Sequence, residues 1–245
     1  CIYFHPEAFT TTGPALMGRN AAGESFLRGF LEHSTSDIIY VYVENKEHAQ
    51  AFDELHKHKC NGREVNFLGP ANIADLSRAG CLFYPGPSLK PLSINRQSFD
   101  STSWSLCGIT HTTASQLAMT SIVDIISSPL ERWDALICPS TAVKSHVEVM
   151  LEEQTKFLKD HIGLNRITYP EMPVIPLGVH TEDFKSSVDE KSSARLKLAI
   201  HEDEIVVLYV GRLSFHAKAH PLAMYQALEV ASRETKKKIV LIESG

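Results

Sequence analysis

Short apolar runs alternate with longer amphipathic stretches along this chain, and that alternation predicts its elements. The runs at 2–4, 37–43, 65–68, 81–84, 106–110, 135–138, 174–177, 205–210 and 239–242 are mostly too short for helices. They are rich in Ile, Val and Tyr, which predicts strands. They are continuously apolar rather than alternating, the pattern of strands buried on both faces of a parallel sheet. Between them, 20–31, 48–58, 114–126, 142–161 and 222–235 read as helices. The first of these repeats Phe26, Leu27, Phe30 and Leu31 at helical spacing. Strand and helix in turn predict βαβ units and a doubly wound α/β sheet. Several strands run into turn residues, at Gly69-Pro70, Pro85-Gly86, Pro139-Ser140 and Gly178, as strand C-terminal ends should.

The polarity shifts at one place. Residues 180–193 carry Asp, Glu, Lys and four serines. This predicts a first domain over 1–180, a linker and short helix over 181–200 (the helix at 194–200), and a second α/β unit over 201–245. Two strands and one long helix in that second unit are too few to bury both faces of a sheet. The expectation is that this piece packs on the first domain or belongs to a longer domain that breaks off here. No solenoid repeat or low-complexity tract is apparent.

Composition then narrows the function classes. The hydrophobic share of 43% and charged share of 22% suit a globular domain. The formal net charge is −5, and Lys236-Lys237-Lys238 is the only basic run. Nucleic-acid binding needs a basic face, so none is expected. The five cysteines are odd in number and have no CxxC spacing, which favours a reducing compartment over a disulfide framework. Neither a membrane span nor a signal peptide is expected.

Ligands in open α/β sheets bind beyond the strand C-terminal ends, and that rule selects the candidate residues. The segment 13–20, which holds Gly13 and Gly18, lies between the first strand and first helix. Glycine there permits close backbone approach, and a helix N-terminus favours an anion. It lacks the GxGxxG fingerprint, and an ordinary strand–helix turn is the simpler local reading. His111 follows the run 106–110, where an imidazole can meet a sugar hydroxyl or a developing charge. A histidine satisfied beside a helix cap, with Thr112 or Thr113 capping, reads on the same residues. Arg212 and Lys218 share the loop after the strand 205–210. Arg as a fork and Lys as a point charge suit a diphosphate, although two solvated cations are the bland alternative. No HExxH, GxSxG or Walker sequence is present, and no tight His/Cys cluster suggests zinc. His5, His56 and His58 read as surface residues.

Gly211-Arg212-Leu213 with Lys218, preceded by Ile175-Pro176-Leu177-Gly178-Val179 and the acidic turn Glu182-Asp183-Phe184, resembles the group 1 glycosyltransferases of the GT-B fold. The resemblance extends weakly over the Gly18 loop, His111 and Cys138-Pro139-Ser140. It implies two facing Rossmann-like domains with the active site between them. It implies transfer of a sugar from a nucleoside-diphosphate sugar to a hydroxyl of a glycan or lipid-linked acceptor. Arg212 and Lys218 would grip the donor diphosphate, His111 would contact the transferred sugar, and the Gly18 backbone would line the phosphate side. No bound metal or other cofactor is implied. The family's setting implies a cytoplasmic enzyme and allows peripheral contact at the inner face of a membrane. Two departures stand out. Arg212 and Lys218 are one residue further apart than the commonest pattern, and Ala219 replaces a glycine. The paired glutamates of the family lie beyond this chain, so the 245-residue piece is expected to be nearly inactive alone. A non-catalytic module of the same fold, or a sugar-nucleotide epimerase or phosphorylase on that scaffold, remains open.

Overall fold

In a computed structural model the chain divides into two compact units, Cys1–Val179 and His180–Gly245. The structure describes residues 1–11, 17–211, 214 and 220–244. The first unit is built on six strands: β1 (Ile2–Tyr3), β2 (Ile38–Tyr42), β3 (Glu64–Leu68), β4 (Cys81–Phe83), β5 (Ser105–Ile109) and β6 (Ala135–Ile137). They form one parallel sheet in the order β3-β2-β1-β4-β5-β6. That order, with helices between the strands, makes the unit a Rossmann-like α/β fold. The helices are α1 (Pro6–Phe9), α2 (Gly18–His33), α3 (Lys46–His56), α4 (Leu76–Ala79), α5 (Lys90–Gln97), α6 (Gln116–Val123) and α7 (Thr141–Ile162).

Side chains alternate across the sheet, and both faces are apolar, which is why the strands read as unbroken apolar runs. Ile2, Phe4, Ile39, Val41, Phe83, Ile109 and Ile137 enter one layer with Phe9, Leu27, Leu31 and Phe52 of α1, α2 and α3. Tyr3, Tyr42, Leu82, Leu106 and Leu136 enter the other, with Ile122 of α6 and Val147 and Leu151 of α7. Each fully buried side chain of this size contributes about 1.5–3 kcal/mol. The two layers therefore hold the sheet between them. At one helix contact the packing admits no side chain, because a methyl group on Gly23 of α2 would overlap the Ala8 carbonyl of α1.

The predicted strand at 174–177 does not form. Glu171 and Val174 make only isolated parallel bridges, to Ala135 and Cys138. Pro170, Pro173 and Pro176 interrupt the segment, and proline has no N–H to give a ladder. What survives is an irregular edge along β6. The Cys138 amide donates to the Pro173 carbonyl at 2.9 Å, and the Ile175 amide donates to the Cys138 carbonyl at 3.0 Å. Helix α5 was not predicted, because it buries Ser93 and Arg96 rather than an apolar stripe.

The second unit holds α8 (Val188–Lys197), β7 (Ile205–Val210), α9 (Pro221–Thr235) and β8 (Ile239–Ser244), with β7 and β8 paired in parallel. Helix α8 occupies part of the segment predicted as linker and ends before residue 200. It starts on a capping box: Ser187 Oγ accepts from the Glu190 amide at 3.2 Å, and Glu190 accepts from the Ser187 amide at 2.7 Å. Apolar residues of β7 stay open, with Leu208 at 60% and Val210 at 72% exposure. All five cysteines are free. No helix among the described residues is long and apolar enough to cross a membrane.

Candidate functional site

The strand order reverses direction between β1 and β4. Connections leave those two strands toward opposite faces, and the gap at their C-terminal ends is where such sheets take ligands. A cavity of about 350 Å³ lies there. Tyr3 comes to it from the end of β1, Tyr84 and Pro85 from the end of β4, and His111 from beyond β5. Glu44, just past β2, and His5, Glu7 and Arg19 at the starts of α1 and α2 complete its polar wall.

Tyr3 and Tyr84 line one side, and the buried Tyr42 backs them. The rings of Tyr3 and Tyr42 stack at 5.0 Å, and Tyr84 meets Tyr3 edge-on at 5.0 Å. The Tyr3 hydroxyl donates to the Glu44 carboxylate. Burial, then that hydrogen bond, pushes the Tyr3 phenol well above its ordinary range. Burial and the Glu44 charge raise Tyr42 and Tyr84 as well. All three remain neutral hydroxyl donors at physiological pH.

His111 is held by a tight crossing of backbones. The Ile109 amide donates to the Gly86 carbonyl at 3.2 Å, the Thr110 amide to the Ile137 carbonyl at 3.0 Å and the Tyr84 amide to the Cys107 carbonyl at 2.8 Å. Gly108 lies so close that an added Cβ would stand 2.7 Å from the Gly86 carbonyl oxygen. Burial, reinforced by the positive charge of Arg19, lowers the His111 pKa from its ordinary value, and a hydrogen bond with the Pro85 carbonyl offsets part of this. The imidazole is therefore neutral at neutral pH. Its Nδ1 is buried without a hydrogen-bond partner among the described residues. The helix that follows is capped by Ser115, whose hydroxyl accepts from the Ala118 amide at 3.3 Å, not by Thr112 or Thr113.

Gly18 opens α2 next to Arg19, and nothing among the described residues lies within 4 Å of where its Cβ would be. Arg19 reaches the cavity, and Gly18 does not belong to its wall. Asn20 ties this helix start down. Its side chain accepts from the Met17 amide at 3.0 Å and donates to the Glu7 carbonyl. Arg212, Lys218 and the glycine segment at 13–16 lie outside the described residues.

Sequence reasoning missed two things. His56 is buried at 4% exposure, packed edge-on against Phe4, so it is no surface residue. The fold also gathers His5, Glu44 and His48, whose ligand-type atoms lie within 4.8 Å of one another. Each follows a strand end or opens a helix at the same sheet edge, and that shared position is the signal that could have found them. Compared with models of protein families, with curated proteins and with solved structures, the chain matches none of them.

Proposed function

We propose that this chain is part of a glycosyltransferase that moves a sugar from a nucleoside-diphosphate sugar to an acceptor hydroxyl. One observation carries the reading. His111, the residue the family resemblance assigns to the transferred sugar, lines a polar cavity at the switch point of a Rossmann-like sheet. The wall suits a polyhydroxylated ligand. Glu7 and Glu44 accept from hydroxyls, Tyr84 and Arg19 donate, and a neutral imidazole does either. In this reading the first unit holds the acceptor side. Arg212 and Lys218 hold the donor diphosphate by charge, supported by their residue types and their loop alone.

The test is calorimetric binding of UDP, GDP, dTDP and ADP to the full product of the gene, with Arg212→Ala as control. Selective binding of one nucleotide, weakened at least about tenfold in the variant, is the expected result. Binding of none of the four overturns the proposal.

A further inference from the structure

We propose that His5, Glu44 and His48 bind one first-row divalent cation, with zinc preferred, in the wall of the cavity. The three residues come from separate places in the chain. His5 follows β1 and caps the start of α1, Glu44 follows β2, and His48 sits in the first turn of α3. Parallel pairing of β1 with β2, through Ile2↔Val41 and Tyr3↔Tyr42, brings the two strand exits side by side.

Their ligand-type atoms lie within 4.8 Å of one another. Atoms each ~2.1 Å from one ion stand at most ~4.2 Å apart, so a small side-chain rotation closes the set. The three converge without using one another up. Among the described residues no hydrogen bond or ion pair joins them, and His48 Nδ1 is buried with no partner. The two imidazoles meet edge to face, with ring centroids 4.7 Å apart.

The chemistry of the donor set chooses the ion. Two imidazoles and one carboxylate suit zinc and its neighbours, whereas magnesium and calcium take oxygen ligands. The carboxylate is already oriented, because the Tyr3 hydroxyl donates to Glu44 from inside the cavity. The backbone of His48 is also fixed, its amide donating to the Asn45 side chain at 2.8 Å. His5 and Glu44 both line the cavity, so a cation held here turns its open positions toward the ligand space. Three protein ligands with an open position is the arrangement of a zinc that takes water or a substrate oxygen. The sugar-transfer reading implies no bound metal, and the two readings share Glu44 and one cavity, so zinc binding is tested apart from nucleotide binding.

Titration of the chelator-treated chain with zinc sulfate in a calorimeter tests this, with cobalt absorption as a second readout. The expected result is one zinc per chain. His48→Ala and Glu44→Gln should each weaken it at least about tenfold, and Tyr3→Phe should weaken it by a smaller factor. Cobalt should give a tetrahedral ligand-field spectrum with no thiolate charge-transfer band, and magnesium should not bind at the same concentrations. Thermal melts without metal establish that the variants fold, and His5→Gln replaces His48→Ala if that variant does not. Absence of zinc binding overturns the proposal. So does binding that the variants leave unchanged, or a cobalt spectrum dominated by thiolate, since either places the ion elsewhere.

Discussion

Arg96 and Asp134 form a two-pronged ion pair with no solvent exposure on either side chain. The two terminal guanidinium nitrogens meet the two carboxylate oxygens at 2.6 Å each. The pair is further bonded: Arg96 donates to the Trp104 carbonyl at 2.8 Å, and Asp134 accepts from the Leu106 and Glu131 amides at 2.7 and 2.8 Å. It joins α5 to the starts of β5 and β6 inside the core.

Removing one partner strands a buried charge, which costs about 3–5 kcal/mol. Asp134→Ala should lower the melting temperature by about 10 °C, measured by calorimetry. The double change Arg96→Met with Asp134→Leu should recover only part of that loss, because the Leu106 and Glu131 amides and the Trp104 carbonyl still lose their partners. A double variant as unstable as the single one would show that these backbone bonds, and not the stranded charge, carry the cost.

His56 predicts an acid-sensitive stability. Burial, then the charge of Lys59, lowers its pKa from 6.5 to about 4. The folded state therefore resists a proton that the unfolded chain takes up. Stability from this residue is complete above about pH 6.5 and falls as the pH drops toward 4. Both ring nitrogens are buried without hydrogen-bond partners among the described residues, so a phenylalanine loses nothing there. His56→Phe should flatten the urea midpoint between pH 6.5 and pH 4, and it should not destabilise at pH 7.5. A midpoint that falls equally in both proteins contradicts this.

Gly18 and Gly108 separate a ligand role from a packing role. Among the described residues nothing crowds Gly18, so Gly18→Ala should hold or raise stability by up to about 1 kcal/mol. If its backbone meets a phosphate, the same variant loses nucleotide affinity while still folding. Gly108→Ala drives a methyl against the Gly86 carbonyl and should cost about 1–3 kcal/mol. It should also disturb the Pro85 wall of the cavity. Paired thermal melts and nucleotide titrations distinguish the two outcomes.

The neutral state of His111 is checked by its ring proton signals in an NMR titration. Its midpoint should lie below the ordinary 6.5, with burial the main cause. Arg19→Gln removes a positive charge and should move the midpoint upward. A midpoint unmoved by the change means that Arg19 does not act on the ring.

Much of the sheet was legible in the chain. The apolar runs that became β1, β2, β3, β4, β5 and β6 are short, and their flanking turn residues mark where parallel strands end. The two misses have different causes. At 171–176, prolines remove the donors that a ladder needs, and apolar content alone does not count donors. Helix α5 depends on Arg96, whose burial is worthwhile only because Asp134 arrives from 38 residues away.

The candidate residues divide in the same way. His111 was chosen because a strand end is a local signal, and the structure places it on the cavity wall. Gly18 was chosen by the same rule, yet its neighbour Arg19 reaches the cavity, since one step along a helix turns a side chain by about 100°.

The order of apolar and polar residues determined, by itself, that the chain makes a doubly wound α/β sheet and which strand ends carry turn chemistry. Period and run length are properties of neighbours along the backbone, and they need no partner. Only the tertiary structure decided that His5, Glu44 and His48 meet, that Tyr3 reaches Glu44, and that Arg96 finds Asp134. Those groups are joined by strand order and register, and hydrogen bonds between distant residues leave no periodic mark in the sequence that makes them.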